Sequence, residues 1–330
     1  EGKIDGNNIS FIIPDGLENL TFAPTIVISD KATITPASGV EQDFSSPVIY
    51  TVTSEDGIVT TKYTVSVSGQ IRDFGFDEWE TIKSSTSGST EQYDVPKGLY
   101  GTSNPGIMTI NEMFGSNLPE LFSYTVSPVE GQSGKAAKLQ TVYTYMFLNG
   151  MDFNALLGGL VPYVTAGSLF TGIFKTDMNN TLNSTKFGVP FVGEPATFTG
   201  YYKYTPGTTY YNNKNEVVAD KTDECSIYAV LYEELLDEEN NNIPLNGDYN
   251  DPDYIGSSKR IVMKAVLEDG TAKSDWTKFS IPFKLLEGKS YDATKKYYLA
   301  IVCSSSAEGD YFMGAPGSTL FIDSFTVTPQ

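Results

Sequence analysis

The chain has 330 residues, no histidine, and a formal net charge of -19 from 22 Lys and Arg against 41 Asp and Glu. Without histidine it cannot carry a Ser-His-Asp or Cys-His nucleophile, a histidine-bearing zinc site or histidine acid/base chemistry, and its charge opposes phosphate backbones and anionic lipid surfaces, which argues against nucleic acid as a partner. With 21 tyrosines and 19 phenylalanines, the composition is that of a core-forming chain rather than a disordered one.

Taken in chain order, the first seventy residues predict a small all-β unit. Phe11-Ile12-Ile13-Pro14 is a short apolar run. Ile26 and Ile28 alternate with polar neighbours, and Ala32-Thr33-Ile34-Thr35 repeats the rhythm. Val48, Tyr50 and Val52 alternate with threonines, Glu55-Asp56-Gly57 signals a turn, and Tyr63, Val65 and Val67 alternate again. Period-two runs of β-branched and aromatic residues between Gly, Pro and Asp predict half-buried antiparallel strands. Their number and length suit a small immunoglobulin-like β-sandwich over residues 1–70. Ser68-Gly69-Gln70 reads as a short linker, which places a domain boundary near residue 70.

Residues 71–330 also read mostly as strands. The clearest predictions are Leu139 to Phe147, Ser168 to Phe174, Ala196 to Tyr204, Ser226 to Tyr232, Arg260 to Leu267, Trp276 to Phe283, Lys296 to Cys303 and Thr319 to Thr328. No amphipathic helix much longer than about three turns stands out. Many strands with turn signals between them predict a larger jelly-roll β-sandwich, so the fold class expected is all-β throughout. Met151 to Phe174 is largely apolar, yet its glycines and Pro162 break it in the middle. It reads as a buried loop followed by a strand rather than a membrane span. Cys225 and Cys303 fit no metal-ligand spacing and lie in apolar surroundings, so they read as small buried hydrophobes. The chain begins at Glu1 without a methionine, which points to a processed or trimmed N-terminus.

Several residues carry candidate chemistry. Trp79 offers a face for a sugar ring or a cover for the sandwich core. Asp77, Glu78 and Asp323 read as hydrogen-bonded or solvated carboxylates and no metal is expected; a calcium ion shared by Asp77 or Glu78 with Asp323 is the alternative, because first and last strands lie together in a jelly roll. Tyr100 and Asn104 flank Gly101-Thr102-Ser103 in a polar loop. A tyrosine platform beside an amide suits a neutral sugar, and an ordinary turn uses the same residues. Tyr201 and Lys203 share one strand face, where the lysine either grips hydroxyls or a uronate, or snorkels outward. Glu233, Asp223 and Asp310 are nominees for the two carboxylates a glycosidase needs about 5 to 9.5 Å apart; solvated side chains are the alternative. The acidic loop Asn246 to Asp253 departs from a calcium-binding EF-hand, with Asp253 in the glycine position and Lys259 in that of the bidentate glutamate. No cofactor is expected.

Five motifs carry a resemblance: Phe74-Gly75-Phe76-Asp77-Glu78-Trp79, Pro96 to Asn104, Gly134 to Leu139, Thr199 to Tyr204 and Gly317 to Phe325. Through them, residues 71–330 resemble the putative carbohydrate metabolism domain (PCMD) family of Bacteroidetes. Ala32 to Gly39 and Tyr50 to Gly57 resemble the immunoglobulin-like spacer of Bacteroidetes surface lipoproteins. The resemblance implies export, a lipid anchor upstream of Glu1, a place at the cell surface or periplasm, and a role in glycan handling. The function expected is binding of an oligosaccharide or polysaccharide, neutral given the charge, with Tyr100, Asn104, Tyr201, Lys203 and Glu233 lining one pocket. A glycoside hydrolase is the alternative, and a structural adhesion or surface-assembly module the second alternative.

Overall fold

The computed structural model describes residues 3–13, 20–44, 47–70 and 72–330; Pro14, which ends the first apolar run, lies outside them. The chain is an all-β protein, a small immunoglobulin-like sandwich followed by a larger jelly-roll sandwich. Contacts divide it into two units. The first comprises residues 1–73 with Val192–Ala196 and Val327–Gln330, and the second Phe74–Phe191 and Thr197–Thr326.

In the first unit, a sheet runs in the order Lys3–Asp5, Asn8–Ile13, Thr60–Gln70, Val48–Thr53, Thr33–Thr35. Val48–Thr53 and Thr60–Gln70 form an antiparallel pair, and Gly57 takes the left-handed conformation at the turn (φ 72°), which glycine adopts without a Cβ clash. Asn8–Ile13 pairs in parallel with the far side of Thr60–Gln70. The alternating residues face inward as their period demands: Phe44, Tyr50 and Val65 are buried, and Phe11, Phe22 and Ile34 pack on them. Two expectations change. Ile26 and Ile28 are half-buried in alternation with exposed neighbours but belong to no strand, because alternation supplies burial without a ladder partner. Ser68-Gly69-Gln70 is no linker: it completes the strand Thr60–Gln70, and Gly69 bridges to Gly193.

In the second unit, one sheet runs Leu245–Asn246, Thr185–Phe187, Ser168–Phe174, Tyr297–Ser304, Ser226–Glu233, Ile261–Val266, Lys284–Leu285; Tyr100–Thr102 pairs with Ser168–Phe174. The other contains Val126–Glu130, Lys135–Gln140, Thr319–Pro329, Pro195–Thr205 and Lys273–Pro282 in that order. Along Pro195–Thr205, Phe198, Tyr202 and Tyr204 are buried while Thr199, Tyr201 and Lys203 are only half-buried, the period-two signature of a one-sided strand. Phe198, Phe279 and Phe325 meet edge-to-face with centroids 5.0–5.5 Å apart. Cys225 and Cys303 are buried free thiols.

Leu139 to Phe147 is not one strand. Lys135–Gln140 ends early and is followed by the short pieces Val142–Tyr143 and Phe147–Leu148. Met151 to Phe174 contains the short helix Phe153–Leu156 and then the strands Val164–Thr165 and Ser168–Phe174. Among the described residues no helix is long and apolar enough to cross a membrane. One helix was not expected, Asn104–Phe114, with proline in its first turn and Ile107 and Ile110 buried beneath it.

Candidate functional site

The alternation along Ser226–Glu233 and Tyr297–Ser304 puts Tyr228, Val230, Ala300 and Val302 into one cluster with Phe170 and Phe187. Beside this cluster, and bounded by the helix Asn104–Phe114, lies a cavity of about 260 Å³. Two loops far apart in sequence contribute to its lining. One is the acidic stretch after Leu245–Asn246, which contributes Gly247; the other is the turn Gly309–Tyr311, which contributes Asp310 and Phe312. Phe312 is held in the left-handed region (φ 58°, ψ 36°), an unfavourable conformation for a bulky residue and one that aligns with sites whose geometry is over-determined by their surroundings.

Tyr311, between the lining residues Asp310 and Phe312, stacks on Tyr249 with centroids 5.5 Å apart and an interplanar angle of 22°. Tyr311 and Tyr249 remain 43% and 45% exposed, so a pair of aromatic surfaces stands in solvent on the two loops that contribute to the lining. Asp310 is the only acidic side chain among the described residues that line the cavity. Its carboxylate accepts a hydrogen bond from the Tyr254 hydroxyl. Burial against the protein wall raises its pKa despite that bond, and its charge in turn helps raise the Tyr254 and Tyr228 hydroxyls, after burial as the main cause. These loops therefore offer an apolar aromatic face, a carboxylate hydrogen-bond acceptor and tyrosine hydroxyls, the set that meets a sugar's C–H face and its hydroxyls.

A second aromatic surface runs along the broken strand. Tyr143 stacks on Tyr211 at 5.0 Å, and Tyr145 meets Tyr143, Phe147 and Tyr163 at 5.6–6.2 Å with tilts of 36–45°. Phe147 at its end is 61% exposed, and Tyr143 and Tyr163 donate their hydroxyls to Asn215 and Asp152.

Of the residues nominated from the sequence, only Asp310 lines the cavity. The single pocket expected around Tyr100, Asn104, Tyr201, Lys203 and Glu233 does not form. Asn104 is fully buried at the start of the helix; its side chain donates to the Val126 carbonyl and accepts from the Val126 N–H and the Thr125 hydroxyl, so it pins two segments rather than facing solvent. Tyr100 lies in a strand, with its ring 5.6 Å from buried Phe76 and its hydroxyl donating to the Gly75 carbonyl. Lys203 sits on the half-buried face of a strand in the other sheet, with its ammonium over the rings of Trp276 and Phe321 at 4.7 and 4.9 Å. Tyr201, on the same face, has the Lys278 ammonium 5.9 Å from its ring. Glu233 ends its strand in a surface ion pair with Lys295 at 2.7 Å.

Asp223 is buried and accepts from Ser306, Ser318 and the Ala315 N–H, so it is a structural anchor rather than a catalytic acid. Asp77 and Asp323 do converge, on the turn of one hairpin rather than on an ion. Asp77 accepts the Lys135 N–H, and Asp323 accepts those of Gln132 and Ser133. Glu78 is exposed and paired with Lys97. Among the described residues no group of three or more His, Cys, Asp or Glu could hold a metal.

Tyr249 and Tyr311 were missed in the sequence. The one available signal was that each stands beside an acidic residue in a turn-rich loop, and neither loop points to the other.

The fold and site thus define a two-unit all-β protein whose larger sandwich carries a cavity and, on two of the loops that line it, a stacked tyrosine pair. Residues 75–328 match the Putative carbohydrate metabolism domain, and the chain belongs to that family. Residues 1–67 match the family SGBP, N-terminal. Among solved structures, a putative glycoside hydrolase from Bacteroides thetaiotaomicron is 32% identical with a TM-score of 0.62, covering 100% of this chain and 92% of its own. Another from Bacteroides vulgatus is 27% identical with a TM-score of 0.56, covering 77% of this chain and 96% of its own. Comparison with curated proteins finds no match.

Proposed function

We propose that this protein binds a neutral glycan on the Tyr249–Tyr311 pair without cleaving it, as an exported, surface-associated capture protein. The observation that carries this reading is the exposed, stacked tyrosine pair beside a cavity lined by a single carboxylate. Stacking and hydrogen bonding need one aromatic face and a few polar groups, whereas displacement at an anomeric carbon by the common mechanisms needs two carboxylates across the bond. The charge of -19 further disfavours acidic polysaccharides. An N-terminal unit of the type found in surface glycan-binding proteins supports export and a surface location.

Hydrolysis is the second reading. The names of the two Bacteroides structures and the raised pKa of Asp310, suited to a general acid, favour it. A neutral-glycan array, run in parallel with a reducing-sugar assay on every glycan bound, separates the two. Binding without sugar release supports capture; release abolished by Asp310→Asn supports hydrolysis and overturns it.

A further inference from the structure

The tyrosine pair accounts for a sugar ring, but not for the cavity. Six of the twelve hydroxyl side chains that line the cavity are committed to the protein. Ser103 bonds to Thr125 at 2.7 Å, Thr109 to the Pro105 carbonyl at 2.9 Å, Thr165 to Thr144 at 3.0 Å, Ser304 to the Ser306 carbonyl at 2.7 Å, and Ser306 to Asp223 at 2.6 Å. Ser184 accepts the Asp177 N–H. Between them the wall is carbon, from Ile110, Met113, Leu160, Phe174, Leu182 and Phe312. Thr185 Oγ1 is a buried hydroxyl without a partner, and Ser168, Thr176, Thr181, Ser226 and Tyr228 add further hydroxyls to the lining. A sugar ring drawn inside would strand those of its hydroxyls that face carbon, each at a cost of roughly fivefold to a hundredfold in affinity.

We infer that the site takes an amphipathic glycoside: the sugar stays on Tyr249 and Tyr311, and an apolar substituent on it, an aryl or acyl group, fills the cavity. The inference rests on the proposed glycan reading and names the class of glycan. Its size follows from the volume. A dry apolar cavity of about 150 Å³ accommodates benzene, so about 260 Å³ accommodates roughly ten carbon atoms on the same scale. That is an aromatic ring with a short side arm or a second fused ring. The linking oxygen would lie near Asp310, the one carboxyl among the described lining residues.

The test compares methyl and 2-naphthyl glycosides of glucose, galactose, mannose and xylose by ligand-observed NMR titration. The naphthyl group supplies the ten carbons. For the sugar that binds, the naphthyl glycoside should bind at least tenfold tighter than the methyl glycoside. Gly106→Leu should bring that ratio close to one. Gly106 lines the cavity from the helix, and a Cβ there meets nothing closer than Phe174 Cζ at 3.8 Å, so the new side chain enters the cavity rather than the backbone. Leu160→Trp fills the same space from a loop and serves if the helix variant misfolds. Equal affinity for both glycosides of a bound sugar, or a naphthyl gain that survives both filling variants, overturns the inference and leaves the glycan reading standing. Failure of every glycoside to bind overturns both.

Discussion

Asp223 allows the sharpest energetic test of the fold around the site. Its carboxylate is 2% exposed and accepts hydrogen bonds from Ser306 at 2.6 Å, Ser318 at 2.7 Å, the Ala315 N–H at 2.8 Å and the Glu224 N–H at 3.0 Å. It thereby ties the segment before Ser226–Glu233 to the loop that follows the turn Gly309–Tyr311. Asp223→Ala leaves the Ala315 N–H buried and unpaired, at about 1–3 kcal/mol. Ser306 can turn to Thr141, whose hydroxyl is already 2.7 Å away, but Ser318 loses its acceptor. Relief of the buried charge offsets part of the loss, so the expected net destabilisation is about 2–4 kcal/mol.

The same residue makes stability depend on pH. Burial raises the Asp223 carboxyl above its ordinary value even against four hydrogen bonds that lower it. The native state then keeps a proton that the unfolded chain, with a pKa of about 3.9, has already lost. The stability it contributes is complete below that unfolded value and is lost as pH rises through the native one. Asp223→Asn lacks the titration, so the stability of the wild type relative to this variant should decline as pH rises above about 4. Urea unfolding followed by tryptophan fluorescence measures both effects. An Ala variant within about 0.5 kcal/mol of wild type, or a wild-type advantage that grows with pH, would refute the reasoning.

Three further outcomes are expected. Residues 71–330 should fold alone, as a single cooperative transition by circular dichroism; aggregation of that fragment beside a well-behaved full chain would make the N-terminal unit part of its core. Chelation by EDTA should leave the melting temperature within about one degree, because Asp77 and Asp323 hold backbone N–H groups; a large drop restored by calcium, through mass action, would contradict this. Burial pushes the Cys225 thiol up to about 12 and Cys303 well above its ordinary value, so a thiol reagent should label neither in the native protein and both in denaturant, and fast native labelling would count against the buried placement.

The parts of this molecule visible in the sequence are those set by local period. Ser168–Phe174, Ser226–Glu233 and Pro195–Thr205 fall within a residue of their predicted ends, because each alternates or runs apolar between clear breakers. Asn104–Phe114 was hidden although Asn104-Pro105 is a helix-start signal; its Gly, Thr and Asn content masks a short apolar stripe. Asn104 looked like a sugar-binding amide because its type is polar, and only tertiary contact shows that Thr125 and Val126 consume it. The site was less legible still. Asp310 could be nominated as one acid among many, but Tyr249 and Tyr311 meet across about sixty residues of intervening chain, a pairing that no local pattern encodes. The acidic loop departs from a calcium-binding pattern, and its Tyr249 stacks on Tyr311.

The central claim is that Tyr249 and Tyr311 form the face on which a glycan rests. The direct measurement is an isotherm for the best neutral glycan on the wild type and on Tyr249→Ala, Tyr311→Ala and the double variant. Each ring should contribute about 1 kcal/mol of stacking, so each single variant should weaken binding about fivefold and the double variant about twenty-fivefold. Because both rings are more than two-fifths exposed, melting temperatures should change little. Undiminished binding by the stably folded double variant would contradict the account.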